Sequence, residues 1–390
     1  MPVPHNGGVF RPVGILLTGL ACCLAGCATA PTDSNSSTEA TTAPAVTAPP
    51  ATTTTPATAA PPKPAPAQTA PPSIAPYHPV MQFNNPPPTV SRPEPSAPAA
   101  TWTSLDHWAV ANDLGAPHRL TTSPVVTYAL GSRQGVMIIE IGSRDATWNG
   151  AQLHLGFAPE IIDDQIFVHS LDLAKNFAPL LCESPSLPEL HHIIVIDPGH
   201  GGREPGAISV LDNRPEKALT LDVARRLAPL LEARGWTVYL TRTNDSELAV
   251  TNRAIFSVQH GADLFISLHF NSSAPDHKQN GLETYCLTPV GMPSTLTRGY
   301  PDIVTRSFPA NAYDQESLWL AVRLHAAILR ATGEEDRGVR RARFLGVLQG
   351  QHCPAVLIEN GYLSNPQEAT KIENGEFRQK IAEAIANALR

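Results

Sequence analysis

Apolar and polar residues follow four different patterns along this chain of 390 residues. An apolar stretch from Val13 to Leu24 follows Arg11 and is too short to span a bilayer, which is typical of an export signal. The residues that follow, up to residue 100, show no apolar periodicity. Residues 101–186 and 190–390 then have the periodicities of folded structure. The pattern predicts an N-terminal export signal, a segment without folded structure and then two folded domains.

Residues 28–100 are predicted to form a disordered linker. Residues 31–100 hold 19 of the chain's 39 prolines and only five charged residues. Such a segment buries too little apolar surface to offset the entropy of ordering it. In an extended polyproline conformation, at about 3.1 Å per residue, it would reach at most on the order of 200 Å. A glycosylated stalk is the alternative interpretation.

The apolar stretch ends in Leu24-Ala25-Gly26-Cys27, which resembles the lipobox of bacterial lipoproteins. The resemblance implies that residues 1–27 form a lipoprotein signal peptide and that Cys27 is the lipidation site. Two or three acyl chains would anchor the protein without spanning the membrane. Ala28 after the cysteine resembles the signal for outer-membrane sorting, so we expect a lipid-anchored protein on the periplasmic side of the cell envelope. An ordinary signal ending at residues 28–30 is the alternative.

Residues 101–186 are predicted to form a small α+β module. Apolar residues from Leu105 to Leu114 fit one helical face, Val125 to Leu130 and Val136 to Ile141 have strand character, and Asn149-Gly150 is a hairpin signal. In general pattern the module resembles the copper amine oxidase N-terminal-like domains of some secreted amidases. It contains no metal-ligand constellation, and we expect a spacer or wall-binding role.

Residues 190–390 alternate between strand and helix patterns. Alternation of this kind predicts an α/β domain with a largely parallel twisted sheet and helices on both faces. The predicted strands are Ile193–Asp197, Trp236–Leu240, Leu264–His269, Leu282–Leu287, Phe344–Leu348 and Ala355–Glu359. The predicted helices are Glu216–Arg234, Arg253–Gly261 and Ser317–Ala331, with a further one after Asn365.

Charge and cysteine content narrow the function classes. The formal net charge is -7, and no Lys/Arg-rich run is present, so we expect no nucleic-acid partner. Three cysteines would remain after export and acylation: Cys182, Cys286 and Cys353. An oxidising envelope predicts one disulfide and one free thiol among them, with the pairing open.

Three apolar strands of the second domain end in polar residues suited to metal chemistry. Asp197 and His200 follow the first strand, His269 ends the third, and Glu359 ends the last. Ligands of open α/β sheets bind outside the carboxyl ends of the strands. The sheet is therefore expected to bring these distant residues together.

These segments resemble the zinc-dependent N-acetylmuramoyl-L-alanine amidase family over residues 193–390. The matching pieces are, in chain order, Asp197-Pro-Gly-His200-Gly-Gly, Glu216, Arg242 with Asp245, Arg253, Ser267-Leu-His269-Phe-Asn271, Arg337-Gly-Val-Arg340 and Glu359-Asn-Gly-Tyr-Leu-Ser-Asn365.

The resemblance implies that His200, Glu216 and His269 hold one zinc ion and that Glu359 is the catalytic carboxylate. Two imidazoles and one carboxylate leave the fourth tetrahedral position open, as catalytic zinc requires, although the same donors also suit non-haem iron. The implied reaction is hydrolysis of the amide bond between N-acetylmuramic acid and L-alanine of peptidoglycan, in cell-wall turnover or daughter-cell separation. The implied partners are the glycan strand and stem peptide, and a need for an activator protein stays open.

Other residues receive secondary interpretations. Asn271, Glu283 and Arg242 are candidates for contacting substrate or for positioning the ligands. Arg242, Asp245 and Arg253 are expected to form structural ion pairs, so for Arg242 a substrate contact is the alternative. Six histidines match no ligand position and are expected to have no catalytic role: His191, His192, His260, His277, His325 and His352.

The stretch between Leu287 and Glu316 is longer than the catalytic fold needs and is broken by prolines. We expect it to be a loop that borders the substrate groove. Two further function classes stay open. One is a non-catalytic, lipid-anchored wall-binding protein with an amidase-like fold. The other is a zinc peptidase, for which the typical HExxH helix is missing.

Overall fold

The computed structural model describes residues 102–182, 191–296 and 302–389. The expected signal peptide, the lipidation site at Cys27 and the linker all lie outside the described residues. Among the described residues, no helix combines the length and the apolar character needed to cross a membrane.

The module begins the described chain and is built mainly from antiparallel strands. Its strands are β1 (Trp102–Ser104), β2 (His118–Thr121), β3 (Thr127–Gly131), β4 (Val136–Glu140), β5 (Asp145–Trp148), β6 (Ala151–His154), β7 (Glu160–Ile162) and β8 (Gln165–His169). Its helices are α1 (Leu105–Ala111), α2 (Ser170–Asp172) and α3 (Ala178–Leu181), the last two joined by a π-helical turn (Leu173–Phe177). β1, β8 and β7 form a separate sheet of three strands.

The second domain, called the catalytic domain from here on because of the resemblance of its sequence, supplies six further strands: β9 (Ile193–Pro198), β10 (Thr237–Leu240), β11 (Leu264–Asn271), β12 (Leu282–Cys286), β13 (Asp336–Arg341) and β14 (Ala355–Tyr362). Its helices are α4 (Glu216–Glu232), α5 (Val250–Gln259), α6 (Asp314–Thr332), α7 (Gly346–Gln349), α8 (Pro366–Glu373) and α9 (Gly375–Ala388), with a 3-10 turn (Pro309–Tyr313) before α6.

The catalytic strands confirm the α/β class. β10, β9, β11 and β14 are parallel neighbours, and the apolar runs of β9, β11 and β14 are buried on both faces. Helices α4, α6 and α9 enclose the large hydrophobic cluster on one face, whereas α5 and α7 lie over a smaller cluster on the other. β12 runs antiparallel to β14, and β13 is parallel to β12, so the sheet is mixed at this edge.

One predicted strand is a helix in the structure, and one strand of the structure was not predicted. Phe344–Leu348 was predicted as a strand, but α7 begins within it at Gly346, and its buried residues Val347 and Leu348 complete the smaller cluster. A short apolar run does not distinguish a strand from a buried helical turn. The strand β13 was not predicted, because Val339 is its one apolar residue.

The module continues the catalytic sheet. β6 pairs in parallel with β13 through Leu153 and Val339, which makes one sheet of eleven strands in the order β10-β9-β11-β14-β12-β13-β6-β5-β4-β3-β2. Across the same junction, the Trp319 indole donates a hydrogen bond of 2.7 Å to the Pro179 carbonyl. The module is therefore packed and hydrogen-bonded to the catalytic domain, which the sequence did not predict.

The expected disulfide among Cys182, Cys286 and Cys353 is not formed; this expectation was wrong for the described residues. Cys286 belongs to the large hydrophobic cluster and Cys353 to the smaller one, on opposite faces of the sheet. Burial raises the pKa of the Cys353 thiol to about 12, so this cysteine behaves as a small apolar residue.

Candidate metal centre

Three candidate ligands meet at the carboxyl ends of the parallel strands. The ligand atoms of His200, Glu216 and His269 all lie within 4.8 Å of one another. The Glu216 carboxylate lies between the two imidazoles, with Oε2 3.1 Å from His200 Nε2 and Oε1 2.9 Å from His269 Nδ1. The distant segments identified in the sequence therefore converge as expected.

Backbone groups fix the Glu216 carboxylate at this point. The Ala207 N–H donates to Oε2 at 2.8 Å and the Phe270 N–H donates to Oε1 at 3.0 Å. Burial alone would raise the pKa of Glu216, but hydrogen bonds from His200 and His269 outweigh it and hold the pKa well below its usual range. Glu216 is thus an ionised carboxylate in a buried position at the first turn of α4.

Close approach of the backbone shapes the loop around His200. Gly199 has no side chain where a Cβ atom would lie 2.3 Å from His269 Cε1. Gly206 has a φ of 71°, and a Cβ atom there would lie 2.4 Å from Glu216 Oε2. The glycines of this loop therefore leave room for the ligand side chains, which larger residues would displace.

Asp197, which is fully buried, organises the back of the site. It forms an ion pair with Arg253 at 2.7 Å, and it accepts a hydrogen bond of 2.7 Å from Ser267. Since the Ser267 hydroxyl donates to Asp197, its oxygen accepts from His269 Nε2, 3.2 Å away. With a metal ion held at Nδ1, the remaining proton of the His269 ring would lie on Nε2, facing Ser267.

This donor set fits a catalytic zinc ion. Donor atoms bonded to one zinc ion at 2.0–2.1 Å in a tetrahedral arrangement lie about 3.3 Å apart, and the ligand atoms here, one from each residue, all lie within 4.8 Å of one another. Three protein ligands are also the number that catalytic zinc sites use.

Glu359 lies beside this cluster, paired with His269 on the neighbouring parallel strand. Its Oε2 atom is buried, and no described residue forms a hydrogen bond with it. Burial raises the pKa of Glu359 well above its usual range, and the nearby carboxylates of Glu216 and Glu283 raise it further. A carboxyl group in this environment can hold a proton near neutral pH and can also release it.

Glu283 pairs with Glu359 across β12 and β14 and is held by several donors. Tyr285 donates to Oε2 at 2.5 Å, Arg337 donates to Oε1 at 2.8 Å, and Asn271 donates to Oε2 at 3.3 Å. Burial raises the pKa of Glu283, but the hydrogen bonds from Tyr285 and Arg337 outweigh it and lower the pKa. Two of the three candidates for contacting substrate or positioning the ligands, Asn271 and Glu283, thus lie in one hydrogen-bond network beside Glu359.

The structure adds Arg337, Arg340 and Tyr285 to the site. Arg337 also packs its guanidinium over the Tyr362 ring at 5.1 Å. These residues were given no role from the sequence, although the pair Arg337-Gly-Val-Arg340 was available as a signal.

Arg242, the third of these candidates, lies outside that network. Its guanidinium is buried and donates to the carbonyls of Pro198, Gly199 and Lys217. These hydrogen bonds hold the backbone of the loop that carries His200. Asp245 pairs with Lys217 at 2.7 Å on the same side.

Of the six other histidines, His325 is the one that is fully buried, and it bonds Asp336 at 2.9 Å and Thr284 at 3.0 Å, on the opposite face of the sheet from Glu359. Within the described ranges, none of the six belongs to a group that could hold a metal ion.

The long stretch before α6 lies partly outside the described residues. Its first part packs along β13 and the module: Thr295 exchanges hydrogen bonds with the backbone of Arg341, and Met292 contacts Gly156. Its role at the substrate groove stays a prediction.

Comparison with known proteins shows the family of this chain. The family model described as N-acetylmuramoyl-L-alanine amidase matches residues 194–390, half of the chain. The chain belongs to the N-acetylmuramoyl-L-alanine amidase family. The match begins in β9 and includes each of the candidate ligands and Glu359, whereas the module lies before it.

Individual relatives of this chain are also named as N-acetylmuramoyl-L-alanine amidases. The sporulation-specific N-acetylmuramoyl-L-alanine amidase of Bacillus subtilis (strain 168) is 32% identical over 198 residues, which cover 50% of this chain and 66% of that protein. The amidase CwlM of Bacillus licheniformis is 35% identical over the same length, with the same coverage. The chain thus spans slightly less than two thirds of these relatives. A solved amidase structure from Clostridium difficile 630 is 30% identical and covers 51% of this chain and 94% of that one, with a TM-score of 0.43.

Proposed function

We propose that this protein is a zinc-dependent N-acetylmuramoyl-L-alanine amidase, which hydrolyses the amide bond between N-acetylmuramic acid and L-alanine of peptidoglycan. The observation that carries the proposal is the convergence of His200, Glu216 and His269 beside the unpartnered carboxyl oxygen of Glu359. Membership of the family and the names of the relatives support the choice of substrate.

The three ligands would hold zinc at the end of the sheet. A zinc ion there supplies Lewis acidity, which polarises a carbonyl oxygen and acidifies a water molecule. The ionised Glu216 carboxylate and the Nδ1 lone pair of His269 provide the donors, and Asp197 fixes His269 through Ser267.

Glu359 has the properties of the general acid and base. It accepts a proton from the attacking water as the water oxygen bonds to the lactyl carbonyl carbon. It then passes this proton to the leaving nitrogen as the carbon–nitrogen bond breaks, which yields a carboxylic acid and a free amine; the acid then releases its proton to the amine or to water. The neighbouring Glu283, ionised by its contacts with Tyr285 and Arg337, keeps the affinity of Glu359 for the proton high.

We further propose that the enzyme works in the cell envelope, anchored by a lipid on Cys27 and carried on the linker of residues 28–100. The Leu24-Ala25-Gly26-Cys27 sequence and the composition of the linker support this arrangement. An anchor followed by a long spacer suits an enzyme whose substrate is a layer away from the membrane. Growth with radiolabelled palmitate should label the wild-type protein and not Cys27→Ala.

Mass spectrometry of digested sacculi tests the activity. Purified peptidoglycan treated with wild-type protein should release free stem peptides, and the Glu359→Ala variant should release none. Cleavage within the peptides would instead indicate a peptidase. Release by neither protein would leave a wall-binding function. Metal analysis of the purified protein should give one zinc per chain, and iron in its place would contradict the cofactor.

A further inference from the structure

A second polar cavity lies at the junction of the module and the catalytic domain. It has a volume of about 550 Å³. Its charged lining residues are Arg144 and Asp145 from the module and Arg340 from β13. His154 of the module also lines it, and Thr295 closes it from the stretch before α6. The proposed reaction as described so far uses none of these residues.

The strand register places this cavity on the same face of the sheet as Glu359. Glu359 is paired with Glu283 on β12. Tyr285, two residues further along that strand and therefore on the same face, is paired with Arg340 on β13. Arg340 accordingly lies two strands from Glu359, on the face that carries the metal ligand His269.

The module extends this row of polar residues. Because Val339 is paired with Leu153, the following residues, Arg340 and His154, are also neighbours on one face. His154 Nδ1 lies 2.8 Å from Asp145 Oδ1 on β5, within hydrogen-bond distance. We call the side chains of Glu359, Glu283, Arg340, His154 and Asp145 the polar row.

Two guanidinium groups in the cavity retain unused donors. Arg340 donates through Nε to the Arg337 carbonyl at 3.0 Å, and this Nε also lies 3.5 Å from Glu283 Oε1. No described residue accepts a hydrogen bond from its two terminal nitrogens. Arg144 donates through Nε and Nη2 to the carbonyls of Leu155 and Ser294, and its Nη1 has no acceptor in the described part of the chain. Paired N–H donors of this kind fit a carboxylate.

The distance from the metal centre suits the stem peptide. Two strand spacings and a two-residue offset along β12 separate Glu359 from Arg340, which together give about 12 Å. An extended peptide advances about 3.3–3.6 Å per residue, so three to four residues reach from the scissile bond to Arg340. The stem peptide carries free carboxylates, whereas the lactyl carboxyl of the glycan is consumed in the scissile amide. The charge of the cavity therefore favours the peptide over the glycan.

We propose that the junction cavity binds a carboxylate of the stem peptide, near the third residue from the scissile bond, with Arg340 as the principal contact. The module then forms part of the substrate groove and selects the peptide. The inference rests on the proposed function, because it takes the substrate to be a muramyl peptide.

Two synthetic muramyl tripeptides test the inference, one ending in a carboxylate and the other in a carboxamide. In Arg340→Gln, the ratio of the carboxylate KM to the carboxamide KM should rise about tenfold over wild type, which is the loss of one charge-assisted hydrogen bond. Asp145→Asn should lower the same ratio, because it removes a negative charge from the cavity. Arg133→Gln is the matched control, since Arg133 is an exposed arginine of the module outside the cavity lining.

The outcomes separate this inference from the proposed function. Calorimetric binding of both tripeptides to Glu359→Gln gives a measure that needs no hydrolysis. If both substrates are hydrolysed but Arg340→Gln and Asp145→Asn leave the ratio unchanged, the cavity does not bind the carboxylate. If binding depends on the carboxylate but wild type hydrolyses neither substrate, the proposed activity fails and the cavity assignment stands. Since Asp145 is exposed, its variant remains informative if Arg340→Gln is unstable.

Discussion

Removal of the Ser267 hydroxyl should weaken metal binding without removing a ligand. Ser267 is fully buried and bridges His269 Nε2, at 3.2 Å, to Asp197 Oδ2, at 2.7 Å. In Ser267→Ala the imidazole loses the contact that keeps its proton on Nε2 and its ring in place. Loss of such an outer partner typically costs 10- to 100-fold in metal affinity, or about 1.4–2.7 kcal/mol.

A second hydroxyl on the same carboxylate provides the control. Thr241 donates to Asp197 Oδ1, which also receives Arg253 Nη1 at 2.7 Å, and it does not contact His269. Thr241→Val removes a hydrogen bond to Asp197 of the same kind, at an expected cost of about 1 kcal/mol in the free energy of unfolding. Its affinity for zinc should stay within threefold of wild type.

The assay is competition for zinc between the protein and a chromogenic chelator at fixed pH, with thermal unfolding measured in parallel. Ser267→Ala should bind zinc at least tenfold more weakly than Thr241→Val. Equal affinities for the two variants would show that the path from Asp197 through Ser267 does not position His269, and the reasoning about the tautomer would be wrong.

Three further predictions concern packing and pH. Burial raises the pKa of Asp172 to about 6, so its contribution to stability is complete below pH 4 and is lost as the pH rises through 6. The cost of Asp172→Asn in urea unfolding should therefore be about 2.4 kcal/mol larger at pH 4 than at pH 7.5; a cost independent of pH would contradict this. Gly206→Ala would place a Cβ atom 2.4 Å from Glu216 Oε2, so zinc affinity should fall by more than tenfold. The control is Gly235→Ala, where no atom lies within 4 Å of the new Cβ; it should lower the unfolding free energy but leave zinc affinity unchanged. Arg341 is a fully buried cation that donates to carbonyls of the module and the catalytic domain. Arg341→Met should therefore destabilise the protein by about 3 kcal/mol and make the module more sensitive to proteolysis. Unchanged unfolding and digestion would contradict its role at the junction.

The ligand set was predictable because local sequence determines where apolar strands end. The runs before Asp197, His269 and Glu359 are buried on both faces of the sheet, and the polar residues that follow them must therefore lie at its carboxyl edge. Glu216 needed the family resemblance, since a glutamate at the start of a helix is also favoured by the helix dipole.

The strand β13 and the junction with the module were not predictable from local pattern. The side chains of β13 are charged, and tertiary partners satisfy them: Arg337 bonds Glu283, and Arg341 is enclosed by carbonyl groups. The junction depends on one residue pair, Val339 with Leu153, between segments far apart in the chain. No periodicity in either segment encodes that pairing, and consequently Arg340 was not assigned to a site.

Hydrolysis of a muramyl tripeptide in ¹⁸O-labelled water is the most direct test of the proposed reaction. The account predicts one labelled oxygen in the lactyl carboxylate of N-acetylmuramic acid, an unlabelled peptide with a free alanine amine, and neither product with Glu359→Ala. Label in a carboxylate of the released peptide would show cleavage within the stem and would contradict the assignment of the metal centre to the muramyl amide bond.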